Sequence, residues 1–403
     1  MVVDDSAVIR GFITRYLEED PAIKVVATAA NGLMAVRTLA RARPDVVVLD
    51  IEMPEMDGLT ALPKLLEQDR TVKVVMASTL TRKNAEVSMR SLQLGASDYV
   101  PKPESLRAVN ASIDFRRELV EKVKVYAAQR RRILGLPQPQ AGGHPIPGVT
   151  GARGPAKPTA RGATVVTARR TPVSQPPVVA ARAKSGATLP SGEAAEGGAR
   201  IVLRRPSPLV PEILAVASST GGPQALMKLF SGIEKERLKR VPIAVVQHMP
   251  ATFTAILAQH LERAAGIPAV EGEDGMPFEQ GRIHVAPGDY HMVLEKEKGG
   301  IVVRLNQDPP ENFCRPAADP MFRSVARIYG GKALAVVLTG MGHDGLRGAR
   351  ELVSAGGTLI AQDEETSVVW GMPGAVATAG LCSSVLPLDQ MGAKVAKFLG
   401  GGR

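Results

Sequence analysis

Short aliphatic runs alternate with longer stretches whose apolar residues recur at helical spacing over most of the chain. In the N-terminal part, VVDD precedes Val8, Ile9, Phe12, Ile13 and Leu17, which share one helical face. IKVVATA, DVVVLD, VKVVMAS and SDYV read as further strands, separated by helices over 32–43, 58–69 and 84–94. Five strand–helix units in about 125 residues predict a doubly wound parallel sheet. A last helix is expected from about Ser105 through VEKVKVYAAQRRR, whose basic end suits a helix C-terminus.

The same alternation resumes near residue 211. EILAVAS, VPIAVVQ, RIHVAPG, HMVLE, IVVRL, ALAVVLTG and GTLIAQ read as strands, with helices over 222–232, 252–264, 317–329, 344–355 and 388–399. Continuous aliphatic runs suit strands buried on both faces, so a second doubly wound domain is expected, with an antiparallel portion around 282–305. Between the two, residues 137–210 are rich in Pro, Gly, Ala, Ser and Arg and carry no apolar period, the composition of a flexible linker. The fold class expected is therefore α/β, with domains over 1–120 and 211–400 and a helix extension plus linker over 121–210.

The formal net charge of +10 would suggest a nucleic-acid partner if it were spread over a folded surface. Instead, ten lysines and arginines against two glutamates fall between 136 and 210, and the ordered parts are close to neutral. Aromatic content is 3%, which leaves few platforms for base stacking. No nucleic-acid partner is expected. No window has the length of apolar residues that a membrane span needs, and Asp4 and Asp5 stand where a signal peptide would carry positive charge. A cytoplasmic protein with no membrane insertion is expected. Cys314 and Cys382 lack the spacing of a disulfide framework or zinc site.

Two constellations carry chemistry. Asp4 and Asp5 follow the first strand, Asp50 ends the third and Lys102 follows the fifth, so all four converge at the carboxyl edge of a parallel sheet. Clustered carboxylates repel unless a cation sits among them, and an all-oxygen pocket suits Mg²⁺. Taken singly, each aspartate could instead be a helix cap or a turn residue. The motifs VVDDSAVIR, VVVLDIEMPEMDG, VVMAS and GASDYVPKP resemble the receiver domains of two-component response regulators, whose sheet is flavodoxin-like. That resemblance implies Asp50 as phospho-acceptor, Asp4 and Asp5 with Asp50 as Mg²⁺ ligands, and Ser78 and Tyr99 as a switch pair. It also implies Lys102 against the phosphoryl group and a cis bond before Pro103. Only Met1, Val2 and Val3 precede Asp4, so the first strand is expected to be short and the natural start to lie upstream.

In the second domain LAVAS leads to Ser219, IAVVQ to His248 and ALAVVLTGMGH to Asp344. If those runs are parallel strands, all three side chains emerge at one edge and supply nucleophile, base and base-orienting carboxylate. Gly221 and Gly222 permit a tight turn into the next helix and leave its first amides free for an oxyanion. Each element has a second reading: STGG suits phosphate binding, His248 a structural histidine and Asp344 a cap, with His343 a competing imidazole. VASSTGGP, VVQHMP, IHVAPGDYHM, VVLTGMGHDG and VVWGMPGAV are together similar to the catalytic domain of the chemotaxis protein-glutamate methylesterases, the CheB family, with its Rossmann-like sheet.

That resemblance implies Ser219, His248 and Asp344 as the triad, with Thr220, Gly221 and Met341 around the oxyanion. It makes Ser218 the substituted neighbour, with Ala217 in place of the family's glycine. A further departure is Cys314 in NFCRP, which reads as a packed loop thiol, with Arg315 expected near the substrate. The function implied is hydrolysis of glutamate γ-methyl esters on methyl-accepting chemoreceptors, with deamidation of selected glutamines. A chemotaxis-type histidine kinase would be the phosphodonor. The receiver would need Mg²⁺, and the esterase chemistry is expected to need no metal. The alternative is a phospho-regulated binding module of a non-chemotaxis signalling array. A weaker one has the basic linker binding nucleic acid or anionic membrane. A linker this long is expected to weaken inhibition by the receiver.

Overall fold

The computed structural model of the chain describes residues 1–79, 81–102, 113–137 and 201–402. Of the expected linker, 138–200 lies outside these residues, as do the expected features at Pro103 and Ser105. Its last part, 201–210, does not run free: Arg204 N donates to Cys382 O at 2.8 Å and Ser207 N to Thr358 Oγ1 at 2.9 Å, so this stretch is bound to the C-terminal domain and the linker ends earlier than expected.

The N-terminal domain is a parallel sheet of β1 (Val2–Val3), β2 (Thr28–Ala29), β3 (Val46–Asp50), β4 (Lys73–Thr79) and β5 (Asp98–Lys102), in the order β2-β1-β3-β4-β5. Its helices are α1 (Ala7–Glu18), α2 (Gly32–Ala42), α3 (Gly58–Gln68), α4 (Arg82–Gln93) and α5 (Ile113–Ile133). The first four start where the sequence supplies a cap: the side chains of Ser6, Asn31, Asp57 and Thr81 each accept an amide hydrogen from the first turn. All five residues of β3 are buried, as its unbroken aliphatic run requires. The strand expected over IKVVATA shrinks to Thr28–Ala29. An edge strand can pair only along what its neighbour offers, and β1 offers Val2 to Thr28 and Val3 to Ala29.

The C-terminal domain is built on a seven-stranded sheet, paired in parallel throughout, in the order β14-β13-β12-β6-β7-β9-β8. Its strands are β6 (Ile213–Ser218), β7 (Ile243–Gln247), β8 (Ala269–Glu271), β9 (Ile283–Val285), β12 (Ala333–Val337), β13 (Thr358–Gln362) and β14 (Ser384–Leu386). The helices are α6 (Gly222–Ser231), α7 (Lys235–Leu238), α8 (Ala251–Ala265), α9 (Ala318–Tyr329), α10 (Leu346–Ser354), α11 (Met372–Thr378) and α12 (Leu388–Leu399). Every residue of β6, β7, β12 and β13 is buried, and these strands form the middle of the sheet. The antiparallel portion differs from the expected 282–305: β9 belongs to the parallel sheet, and among the described strands β10 (His291–Glu297) and β11 (Gly300–Asn306) are the pair that runs antiparallel.

The chain enters this sheet at β6, lays β7 on one side and later returns to place β12 on the other. The crevice at the carboxyl end of β6 is therefore the topological switch point, where open α/β sheets place their sites.

The two domains share one hydrophobic cluster, which runs from Leu49 and Met89 of the first to Phe253 and Leu257 of the second. Polar contacts reinforce it. Gln224 Nε2 donates to Ala96 O at 2.7 Å and Leu92 O at 3.4 Å, and Gln93 Nε2 lies 3.1 Å from His260 Nδ1. The Arg117 guanidinium sits 5.0 Å over the ring of Phe313.

Candidate functional site

Strands β6 and β7 pair Ser218 with Gln247, so the next residue of each, Ser219 and His248, leaves the sheet side by side. Ser218 itself faces inward: it is fully buried and its hydroxyl donates to Gln247 Oε1 at 2.7 Å. Gly222 has no room for a side chain, because a Cβ there would run into that same Gln247 oxygen. The buried serine and its glutamine thus form a peg against which the first turn of α6 is packed.

Asp344 comes from the loop after β12 and is 1% exposed. Its Oδ2 lies 2.7 Å from His248 Nε2. Oδ2 also accepts from Ala318 N at 2.5 Å, and Oδ1 accepts from the amides of Asp319 and Gly345 and from Asn312 Nδ2. Burial pushes this carboxyl up, but the bonds to His248 and to the amides of Ala318 and Asp319 outweigh it and hold it below the usual range. A permanently ionised acid fixes the imidazole and favours its protonated form. For His248, burial works against charge, yet the contacts with Cys314 and Asp344 raise it to about 10. His343, the rival imidazole, is exposed, and among the described residues the ring on Asp344 is that of His248.

Gly221, at φ +74°, turns the chain into α6. Among the described residues the amides of Thr220, Gly221 and Met341 donate to no group, so they are available to a developing oxyanion. The Thr220 carbonyl is fixed by the Thr339 hydroxyl at 3.0 Å, which steadies the turn from below.

Cys314 departs from expectation. Far from packing as an inert loop thiol, its Sγ lies 3.3 Å from His248 Nδ1. Arg315 turns its guanidinium to its own loop, where Nη1 donates to Gln307 O at 3.0 Å and Asp308 O at 3.2 Å. Two participants were absent from the sequence reading. Asn312 bridges Asp344 and Asp319 through one amide nitrogen, at 2.9 and 3.0 Å. Asp319, fully buried at the start of α9, accepts from Gly348 N and holds α10 against the site. Its carboxyl is pushed up by burial and by the Asp344 charge. The first turn of a helix in RPAADP was the available signal for Asp319; Asn312 lies in a loop with no periodicity.

In the N-terminal domain Asp4, Asp5 and Asp50 each place a carboxylate oxygen within 4.8 Å of the others. Lys102 Nζ reaches into the group, 3.0 Å from Asp4 and 2.6 Å from Asp50. Burial drives Asp50 up, to about 6, with Lys102 opposing and Asp4 adding to the rise. Asp4 and Asp50 are buried and Asp5 is exposed, so the cluster opens to solvent on one side. An oxygen-only donor set open to water fits a hard divalent cation that keeps part of its hydration. Ser78 is buried with its hydroxyl 2.9 Å from that of Ser88. Tyr99, 4% exposed, stacks on Phe253 of the other domain.

Among the described residues no helix is long and apolar enough to cross a membrane. Residues 1–114 match the response regulator receiver domain family, and residues 214–395 match the CheB methylesterase family. The protein-glutamate methylesterase/protein-glutamine glutaminase 1 of Rhodospirillum rubrum is 53% identical over 98% of this chain and 93% of its own. The protein of the same name from the group 2 operon of Rhodospirillum centenum is 51% identical over 99% and 93%. The crystal structure of the Thermotoga maritima CheB methylesterase catalytic domain is 39% identical and covers 47% of this chain and 99% of that one, with a TM-score of 0.45. The chain, with its receiver domain and the crevice that holds Ser219, His248 and Asp344, belongs to the protein-glutamate methylesterase/protein-glutamine glutaminase family.

Proposed function

We propose that this protein hydrolyses γ-methyl esters of glutamate side chains on methyl-accepting chemoreceptors, and deamidates selected glutamines, under the control of phosphorylation at Asp50. The observation that carries the reading is the bond of His248 to a fully oriented Asp344 beside the strand end that bears Ser219. Relatives of this identity carry enzyme names, which favours hydrolysis over the binding-module alternative.

In this mechanism His248 takes the Ser219 proton as Oγ attacks the ester carbonyl. The carbonyl oxygen becomes an oxyanion among the amides of Thr220, Gly221 and Met341, a donor set whose members are typically worth about 10²–10³ in rate each. The imidazolium returns its proton to the leaving methoxide, and methanol departs. Water then gives a proton to His248, attacks the acyl-serine and leaves glutamate, with Ser219 restored. A glutamine substrate follows the same route with ammonia as the leaving group, so one site serves both reactions.

Control is ascribed to the receiver. Its contacts reach Gln224 in the first turn after Ser219, Phe253 in the first turn after His248, and Phe313 beside Cys314. Each lies next to a catalytic loop, so the resting arrangement bears on the crevice from the receiver side. Asp50 would accept the phosphoryl group from a chemotaxis-type histidine kinase. Asp4, Asp5 and Asp50 would hold Mg²⁺, which supplies charge neutralisation at the phosphoryl oxygens. Lys102, already paired with both buried carboxylates, would keep its ammonium beside the phosphorylated residue. New charge at Asp50 shifts the population of domain arrangements.

The test is methanol release from methylated receptor by the wild type, Ser219→Ala and Asp50→Asn, with and without a small-molecule phosphodonor. The expected result is release that vanishes in Ser219→Ala and loses its phosphodonor stimulation in Asp50→Asn. Turnover that survives Ser219→Ala would overturn the assignment of the nucleophile.

A further inference from the structure

An imidazole has two ring nitrogens, and a serine hydrolase needs one for the acid and one for the nucleophile. Here Asp344 takes Nε2, so Nδ1 is the nitrogen left for Ser219. Cys314 Sγ stands at that same Nδ1, 3.3 Å away. Among the described residues no group hydrogen-bonds to the Ser219 hydroxyl.

We propose that Cys314 is a positioning residue for the catalytic base: its sulfur occupies the His248 nitrogen that Ser219 requires, so thiol and hydroxyl compete for one hydrogen-bonding position. The inference rests on the reading of Ser219 as nucleophile and His248 as its base.

The thiol is aimed by structure. Asn312 and Phe313 both have left-handed backbones, at φ +52° and +65°, a conformation that asparagine tolerates and that is costly for a bulky aromatic residue. Two restraints hold it. Asn312 is bound to Asp344 and Asp319, and Cys314 exchanges both backbone hydrogen bonds with Glu311, whose carboxylate is paired with Arg323 of α9. The acid that orients the base therefore also anchors the loop that carries its competitor.

The chemistry of sulfur gives the contact a particular character. A thiol next to an imidazole can pass its proton to the ring and leave a thiolate–imidazolium pair, which an alcohol does not form near neutral pH. The His248 side chain is 11% exposed, so such a pair is weakly screened. Asp344 and Cys314 are the titratable groups that face the ring, with Asp319 behind Asp344. Loss of Cys314 removes one of two partners that favour the charged ring, and the neutral, proton-accepting form should then persist to lower pH.

The experiment uses the full-length protein and a fluorophosphonate probe that labels reactive serines. Labelling rates at Ser219 are measured against pH for the wild type, Cys314→Ala and Cys314→Ser, with Ser219→Ala as the blank. Cys314→Ala should label about three- to tenfold faster near neutral pH, the span set by release of one hydrogen bond. Its rate–pH midpoint should lie below that of the wild type. Cys314→Ser should share the lower midpoint but keep part of the competition. Equal rates and midpoints in wild type and Cys314→Ala would overturn the proposal. So would a slower rate at an unchanged midpoint with a lower melting temperature, which marks a packing role. If the wild type is not labelled at Ser219 at any pH, the triad reading fails and takes the proposal with it. Labelling that is lost in Ser219→Ala but indifferent to Cys314 sinks the proposal alone.

Discussion

The ring of Tyr99 lies flat on the ring of Phe253, with centroids 4.5 Å apart and planes 5° from parallel. Tyr99 belongs to β5, the strand that ends at Lys102, and Phe253 to the first turn of the helix that follows His248. A change of Tyr99 rotamer on phosphorylation would loosen the receiver's hold on the helix that follows the catalytic base. Such a stack is worth about 0.5–1.5 kcal/mol beyond the area it buries. Phe253→Ala is therefore expected to raise the activity of the unphosphorylated enzyme about two- to tenfold and to shrink its stimulation by phosphodonor. Methanol release measured with and without phosphodonor checks this; a stimulation ratio equal to that of the wild type would rule out the stack as a coupling element.

Lys102 is the buried cation between Asp4 and Asp50, and its own ammonium form is favoured by them despite burial. Lys102→Met leaves two buried carboxylates without compensation, a loss of about 3–5 kcal/mol. Added Mg²⁺ should recover a large part of it, since the same oxygens then have only the metal to neutralise them. Thermal melts of variant and wild type with and without MgCl₂ would show a larger metal-dependent rise in the variant. Equal rises would mean that the carboxylates do not share the cation as proposed.

Gly340 lies against the nucleophile. A Cβ there would stand 2.9 Å from Ser219 Cβ and 3.1 Å from Ser219 N, and would overlap the Met372 sulfur. Gly340→Ala must push Ser219 out of line, and displacement by about 1 Å can cost about 10² in rate. We expect kcat to fall by at least about tenfold while the melting temperature changes little. A parallel collapse of stability would show that the clash is relieved through the core and not through Ser219.

The raised His248 ring also sets a pH dependence. Catalysis requires the neutral ring, so kcat/KM of the phosphorylated enzyme should climb with pH, about tenfold per unit, until it levels near about 10. Stability moves in the opposite sense. The ring's contribution is complete below its unfolded value of 6.5 and is lost as pH rises through the folded value. Initial rates from about pH 6 to about pH 9 would reveal the slope. A plateau already reached at neutral pH would show that the Cys314 and Asp344 contacts do not hold the proton in the working enzyme.

Much of this architecture was legible from local pattern. The central strands of the two sheets are largely aliphatic runs, and Ser6, Asn31, Asp57 and Thr81 punctuate the helices; the short edge strands β8 (Ala269–Glu271) and β14 (Ser384–Leu386) carry no such signal. Residues that sit one step past a strand end, such as Ser219 and His248, could be brought together by topology alone, because parallel strands end at one edge. What escaped was set by contacts between distant segments. The 307–316 loop has no period to betray that it delivers Asn312 to Asp344 and Cys314 to His248. Phe253 read as one apolar residue of a helix, and nothing in the sequence said that its partner is Tyr99. The IKVVATA run forms strand only at Thr28–Ala29 because β1 offers it two residues to pair with.

Gln224 binds the receiver through the carbonyl oxygens of Leu92 and Ala96, at the end of α4 and just beyond. Leu92 and Ala96 are themselves buried in the shared core, so their side chains hold these acceptors in place from within. The grip beside Ser219 is therefore tied to the receiver's own interior: whatever repacks the end of α4 also moves the acceptors of Gln224.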